Sequence, residues 1–357
     1  MFWGSDIMAV SIDNLGGIQR KVELVVSIES IRQEVQKRLQ DLVGKVRIDG
    51  FRRGKVPVKI IQERYGDSVY AEALNELINH VYSAALKESN IVPAGAPKIT
   101  PLNDAFKKDE DFKFTAVFEV FPEITLQPFS GLTIEKCVAT LEESDVEKAI
   151  ERVREQRATK AENGDKQLPE LNEDFVASLG VKGGLEEFSS EVRKNLEREL
   201  KYALKNKLKA NVIEQLVSAH PFDVPDALVM QEAERLRENS KRYFKQMGSK
   251  INFPEVPLDV FKEKALKNVR VGLLFSEMFE KLKIEATQDK IDERVRDMAT
   301  MYDDAEGAIQ WISHDKRQME NIRAQVAEDA LIEKVLEEAN IVEKTVTYEE
   351  LIQQGRT

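Results

Sequence analysis

Apolar and polar residues alternate between Val10 and Ile28, with Val22, Leu24, Val26 and Ile28 on one side and the turn-forming pair Gly16-Gly17 upstream. Such a period of two predicts a strand in a hairpin. The period then lengthens: Ile31, Val35, Leu39, Leu42, Val43 and Val46 fall on one stripe of a helix. Pro57 opens a short helical stretch expected to end at Gly66, by the preference for proline at the first turn and glycine past the last. A second amphipathic helix carries Val69, Ala73, Leu77, Val81 and Ala85, and alternation returns between Phe112 and Phe121. Strands at both ends with helices between them predict a small α+β domain with an antiparallel sheet over residues 8–127.

Beyond Pro128 the pattern predicts a strand from Thr133 to Leu141, then a helix to about Gln156 started by a capping box at Ser144 and Glu147. These elements form a connecting segment, 128–158. Residues 159–167 are polar, lack apolar periodicity and read as a linker. From Leu168 to Thr357 the chain reads as nearly all helix. Apolar residues recur every fourth position from Phe188 through Val192, Leu196, Leu200, Leu204, Leu208 and Val212 to Leu216, one long helix whose stripe drifts around its axis. Further helices are expected from Pro225 to Met247, Leu258 to about Ile284, Thr287 to Met301 and Arg317 to Ala339, with a last capping box at Thr347 and Glu350. Long helices with narrow stripes and short connections predict an elongated, all-α part with two helical arms over 168–357.

Charge changes this picture at one place. The chain carries a balance of -11, yet Lys45 to Arg64 holds seven Lys/Arg against two Asp/Glu. At its centre stands Gly50-Phe51-Arg52-Arg53-Gly54-Lys55-Val56-Pro57. An aromatic ring and three cations on a loop bounded by glycines describe a docking device for one anionic target, because exposed aromatics beside arginine are frequent binding hot spots. An ordinary basic surface loop is the plainer reading, but Phe51 has no core face to turn to. The spacing excludes a P-loop, since Asp49 and Val56 stand where glycine and Ser/Thr are required. It also excludes a KH clamp, whose glycines are three apart, whereas Gly50 and Gly54 are four apart.

Other chemistry is sparse. Cys137 is the sole cysteine, so disulfides within the chain and cysteine-based zinc sites are excluded, in keeping with a reducing, cytoplasmic location. His80, His220 and His314 have no partners at ligand spacing and read as surface or satisfied core residues. No nucleotide fingerprint, nucleophile elbow or membrane-length apolar run is present, so no catalytic residue, metal, nucleotide, cofactor or membrane partner is expected. Apart from Met1 and Met8, the methionines lie between positions 230 and 319: Met230, Met247, Met278, Met298, Met301 and Met319. Flexible thioethers suit a surface that accepts many apolar partners, and they equally suit filling a core. Residues 1–7 precede Met8, contain Gly4-Ser5 and read as a cloning leader.

The octapeptide 50–57 resembles the Gly-Phe-Arg-(Lys/Arg)-Gly-Lys-x-Pro signature of trigger factor, the family of bacterial ribosome-associated chaperones. Similarity extends over the preceding helix, Leu168-Pro169-Glu170-Leu171, the run Val192 to Leu200 and Val269 to Leu274, from Met8 to the C-terminus. The resemblance implies an ATP-independent chaperone that docks at the polypeptide exit of the large ribosomal subunit, on a ribosomal protein and nearby ribosomal RNA, and shields nascent or unfolded chains in a cradle. Phe51, Arg52 and Arg53 would form the contact tip, with Gly50, Gly54, Lys55 and Pro57 shaping it. Arg53 stands where many relatives have lysine, which keeps the charge but changes the geometry. Self-association to a homodimer off the ribosome is also implied.

Relatives carry a peptidyl-prolyl isomerase domain where this chain has only 159–167, far short of the ~50 residues a domain needs. Isomerase activity should therefore be missing, by an engineered deletion or in a natural short form. An RNA-binding or ribosome-assembly factor without clients is the alternative function. It predicts ribosome binding without suppression of aggregation.

Overall fold

The computed structural model describes residues 11–52, 54–104, 107, 109–160, 166–246, 256–300, 302 and 304–354. Residues 1–7, read above as a leader, lie outside them. The chain divides into two compact units, one of residues 1–124 with 222–272 and one of 125–221 with 273–357.

In the first unit, β1 (Ile12–Gly16), β2 (Gln19–Val26), β3 (Lys98–Pro101) and β4 (Phe112–Glu119) form an antiparallel sheet in the order β1-β2-β4-β3. Gly16 and Gly17 make the first turn with φ of +109° and +52°, a backbone region that favours glycine. Val22, Leu24 and Val26 sit opposite Ala116, Phe114 and Phe112, and all six are buried, which is the inward half of each alternating pattern. Helices α1 (Ile28–Lys45) and α2 (Val58–Glu88) contribute Ile31, Tyr70, Leu74, Leu77, Ala85 and Leu86 to the same core.

One expectation fails in α2. The helix does not end at Gly66 but runs through it to Glu88. Ile61 and Val69 bury into one cluster and Tyr70 through Leu86 into another, so packing on both sides of Gly66 outweighs the roughly 1 kcal/mol a mid-helix glycine costs. The first unit also holds α6 (Asp226–Gln246) and the first part of α7 (Asp259–Leu282), joined by a small cluster of Val229, Ala233 and Ala265.

In the second unit, β5 (Thr133–Val138) and α3 (Glu143–Gln156) precede a pair of two-residue strands, β6 (Thr159–Lys160) and β7 (Lys166–Gln167). α3 starts before the predicted box: Glu142 donates its N–H to Asp145 Oδ2 at 3.0 Å, a role assigned by pattern to Ser144 and Glu147. A short α4 (Glu173–Ser178) leads to α5 (Gly184–Ala219). A repeat of four against 3.6 residues per turn advances the stripe by about 40° per step. Accordingly Phe188 packs with Phe175 and Val176 of α4, whereas Leu196 and Leu200 pack with Cys137, Val146 and Leu351.

Then follow α8 (Gln288–Ala299), α9 (Ala305–His314) and α10 (Lys316–Glu338), gathered around Ile291, Val295, Ile312, Ile322 and Val326. The C-terminal part is helical as expected, with one strand that periodicity does not predict. Asn340–Thr345 form β8, which pairs in parallel with β5 across some two hundred residues of sequence. The box at Thr347 and Glu350 does form, with Thr347 N–H on Glu350 Oε2 at 2.9 Å and Glu350 N–H on Thr347 Oγ1 at 3.2 Å, and it starts α11 (Tyr348–Gln354).

Candidate functional site

The loop between α1 and α2 is built from two successive tight turns. Phe51 donates its N–H to Ile48 O at 3.1 Å, and Lys55 donates to Arg52 O at 2.9 Å. The third residues of these turns are Gly50 and Gly54, with φ of +89° and +77°. A type II turn demands positive φ at that position. A Cβ added at either glycine would meet no atom within 4 Å, so conformation alone, and not crowding, requires glycine there. Pro57 then caps α2, accepting the N–H of Ile60 at 3.0 Å.

Both ends of the loop are anchored. Ile48 and Val56 are buried with Leu39, Ile61 and Val69 in a cluster of their own, to which Val35, Leu42, Val43 and Val46 add partly buried surface. Between the anchors Phe51 stays 40% exposed, and Arg52, Gly54 and Lys55 are exposed as well. Arg53 lies outside the described residues. Exposing a phenylalanine forgoes burial worth roughly 2 kcal/mol, and the fold holds it out by fixing the chain on either side.

Electrostatics at this end of α1 and α2 differ from the rest of the unit. Arg38, one helical stretch upstream, is compensated by Glu34, Glu72 and Glu76, whose hydrogen bond and charges raise its pKa against the effect of burial. Lys45, Arg47, Arg52, Lys55, Lys59 and Arg64 are all exposed, and among the described residues none has a carboxylate in salt-bridge range.

The described methionines differ in their surroundings. Met278 is fully buried, and Met298 and Met319 pack onto the core of α8, α9 and α10. Met230 is 41% exposed on α6, while Met247 and Met301 lie outside the described residues. Sequence reasoning passed over two exposed aromatic pairs in the helical part instead. Tyr243 and Phe244 on α6 lie with ring centroids 6.4 Å apart, and Tyr302 and Trp311 lie 6.5 Å apart. Aromatics inside otherwise polar helix ends were the available signal.

His220 is a satisfied core residue: its Nε2 accepts the Gln127 N–H at 2.9 Å, which leaves Nδ1 to donate to Leu216 O at 2.7 Å. His314 Nδ1 lies 2.7 Å from Gln310 O, and His80 is exposed. Among the described residues no group of three or more His, Cys, Asp or Glu is placed to hold a metal, and no helix is long and apolar enough to cross a membrane.

Comparison with known proteins bears on both parts of the chain. Residues 8–153 match the family described as bacterial trigger factor protein (TF), and residues 184–337 match bacterial trigger factor protein (TF) C-terminus. Trigger factor of Ectopseudomonas mendocina (strain ymp) is 30% identical over 432 residues, covering 97% of this chain and 98% of that protein. Trigger factor of Hahella chejuensis (strain KCTC 2396) is 28% identical over 97% of this chain and 96% of its own. An alignment of 432 positions against 357 residues leaves at least 75 positions of the relative without a counterpart here. A solved structure of the trigger factor chaperone shares the fold with a TM-score of 0.50 and 16% identity, covering 92% of this chain and 99% of that one.

Proposed function

The chain belongs to the bacterial trigger factor family, and on that premise we propose that it is an ATP-independent chaperone docking at the ribosomal polypeptide exit through residues 50–57. Nascent and unfolded chains are its clients, in the cytoplasm. The observation that carries this reading is the loop itself: Phe51 and Arg52 held exposed between two buried anchors, amid six exposed cations that have no carboxylate partner among the described residues. Phe51, Arg52 and Arg53 contact a ribosomal protein and ribosomal RNA, Lys55 adds charge, and Gly50, Gly54 and Pro57 set the shape. A cationic patch on a chain of net charge -11 favours one anionic target over general coating of nucleic acid.

Client handling belongs to the helical part, with release driven by weak contacts and not by a nucleotide. Met230, Tyr243 and Phe244 in the first unit, and Tyr302 and Trp311 in the second, are better candidates for client contact than the methionines as a set, since Met278 has no exposed area. Isomerase activity is absent on this reading, because residues 154–183, between the two matched family segments, offer no room for a domain. Off the ribosome, a homodimer would cover exposed apolar surface.

Co-sedimentation with bacterial ribosomes at two salt concentrations tests the docking, against a variant with Phe51→Ala, Arg52→Ala and Arg53→Ala. Salt-sensitive binding lost in the variant is expected; equal binding by both proteins would sink the loop assignment. Suppression of aggregation of an unfolded protein, unchanged by ATP, separates a chaperone from an assembly factor without clients.

A further inference from the structure

Strand β8 has an unusual setting. Paired in parallel with β5, it is exposed at all six positions, although parallel strands are ordinarily covered on both faces. The bonds flanking the ladder run from Asn340 N–H to Leu132 O at 2.9 Å and from Val346 N–H to Val138 O at 3.0 Å. They set the even-numbered residues of β8 against β5. Ile341, Glu343 and Thr345 therefore turn their N–H and C=O groups to the outer edge, where among the described residues no strand pairs with them.

The opposite edge of this small sheet is closed. There Asn211 of α5 donates its side-chain N–H to Glu135 O at 2.8 Å, and α5 packs along β5. One edge is covered and the other is open, and the open one carries two exposed apolar residues in succession, Ile341 and Val342, 41% and 47% accessible. Natural sheets shield such edges with proline, bulges or inward charges. Here the charges are spent within the pair: Glu343 is bonded to Lys136 and Lys344 to Glu135.

We propose that the outer edge of β8 binds an extended segment of an unfolded polypeptide by strand addition, through the main chain of Ile341, Glu343 and Thr345. This rests on the chaperone reading above and specifies the client conformation it captures. An unfolded chain is the partner whose backbone groups are free at the two-residue period this edge presents, and main-chain pairing tolerates any sequence. The exposed Ile341 adds a bias toward an apolar residue opposite it. A second copy of this chain fits less well. The antiparallel register that engages all three edge residues of both copies sets Glu343 directly against Glu343, each already paired with its own Lys136, so a second copy brings no complementary charge to the edge.

Residue-resolved amide hydrogen exchange tests the proposal, with reduced and alkylated lysozyme as a client that stays unfolded. Exchange at Ile341, Glu343 and Thr345 should slow on the order of tenfold when the client is added, while Val342 and Lys344, already bonded to β5, stay unchanged. Thr345→Pro removes an outward donor and leaves the ladder to β5 intact, so it should weaken client binding several-fold, whereas Thr345→Ala should not. Aggregation suppression by the wild type without protection of the odd-numbered amides would overturn the proposal and leave the chaperone reading standing. Failure to suppress aggregation at all would overturn both. Odd-residue protection that rises with protein concentration in the absence of client would assign the edge to a second copy and overturn the proposal as well.

Discussion

The loop between α1 and α2 and the strand β8 are both exposed, but they offer a partner different things. The loop closes its own backbone, with Phe51 bonded to Ile48 and Lys55 to Arg52, and presents side chains. Strand β8 ties its side-chain charges to β5 and presents backbone. Side chains on a fixed frame discriminate; a main-chain edge accepts almost any extended sequence. A chaperone that must find one docking site and hold many clients needs both kinds of surface, and here each has a separate structural origin.

If that division holds, the largest effect comes from stripping the loop. The triple variant Phe51→Ala, Arg52→Ala, Arg53→Ala should lose at least about 100-fold in ribosome affinity, as expected when an aromatic anchor and two phosphate-pairing cations go together. Its thermal midpoint and its suppression of aggregation should not change. A parallel loss of client holding, read in a light-scattering assay without ribosomes, would mean the two surfaces are one.

The frame beneath the loop should matter next. Ile61 is fully buried beside Ile48 and Val56, so Ile61→Ala should cost about 3 kcal/mol by urea denaturation. Ribosome binding should fall with it, because the anchors lose their neighbour, while protection of the β8 edge by client persists. Unchanged ribosome binding in this destabilised variant would show that the loop does not depend on its anchors.

The same contrast explains what could be read from the sequence. The loop was legible because its information is local: aromatic, cations and glycines lie within eight consecutive residues, and positive φ at Gly50 and Gly54 leaves a compositional mark. The sheet of the first unit was legible through the alternation of Val22, Leu24 and Val26 and of Phe112, Phe114 and Phe118. β8 was not. Its partner β5 lies far away in sequence, and a strand exposed on both faces carries no alternation to detect. The end of α2 was misjudged for a related reason, since the contacts that carry the helix through Gly66 come from two clusters the local pattern does not separate. The methionines stayed ambiguous because a thioether fits core and surface alike: Met278 is in the core and Met230 is exposed.

Two glycines sharpen the point at smaller magnitude. Gly54→Ala places a side chain at φ of +77° and should cost about 1 kcal/mol, although nothing crowds the new methyl group. Gly66→Ala should do the reverse. Its Cβ would meet only Gln62 Cγ at 3.5 Å, an ordinary contact, so the helix should gain roughly 0.5–1 kcal/mol. Chemical denaturation of both variants decides the matter, and a stabilised Gly54→Ala protein would remove the conformational argument for the loop.

Two buried tyrosines carry the comparison to the sheets, Tyr82 beside the four-stranded sheet and Tyr348 beside the β5-β8 pair. Tyr348, at the start of α11 just after β8, donates its hydroxyl to Glu199 at 2.7 Å, so Tyr348→Phe should cost about 1–2 kcal/mol. Tyr82, packed edge-on against Phe118 with centroids 5.6 Å apart, has a buried hydroxyl without a partner among the described residues. Removing that oxygen relieves an unsatisfied group, and Tyr82→Phe should be neutral or slightly stabilising at neutral pH. Burial pushes the Tyr82 phenol up to about 12 from an ordinary 10.0. A folded pKa above the unfolded one means a contribution fully present below about pH 10 and lost as pH climbs through about 12, because the unfolded chain ionises first. Burial, followed by the Glu199 carboxylate, shifts Tyr348 in the same direction. Urea denaturation between about pH 8 and 11 should therefore show the wild type losing stability toward the alkaline end, and Tyr82→Phe losing less. Identical alkaline slopes in the two proteins would show that Tyr82 is hydrated, and that the first unit's core is looser around Phe118 than the structure has it.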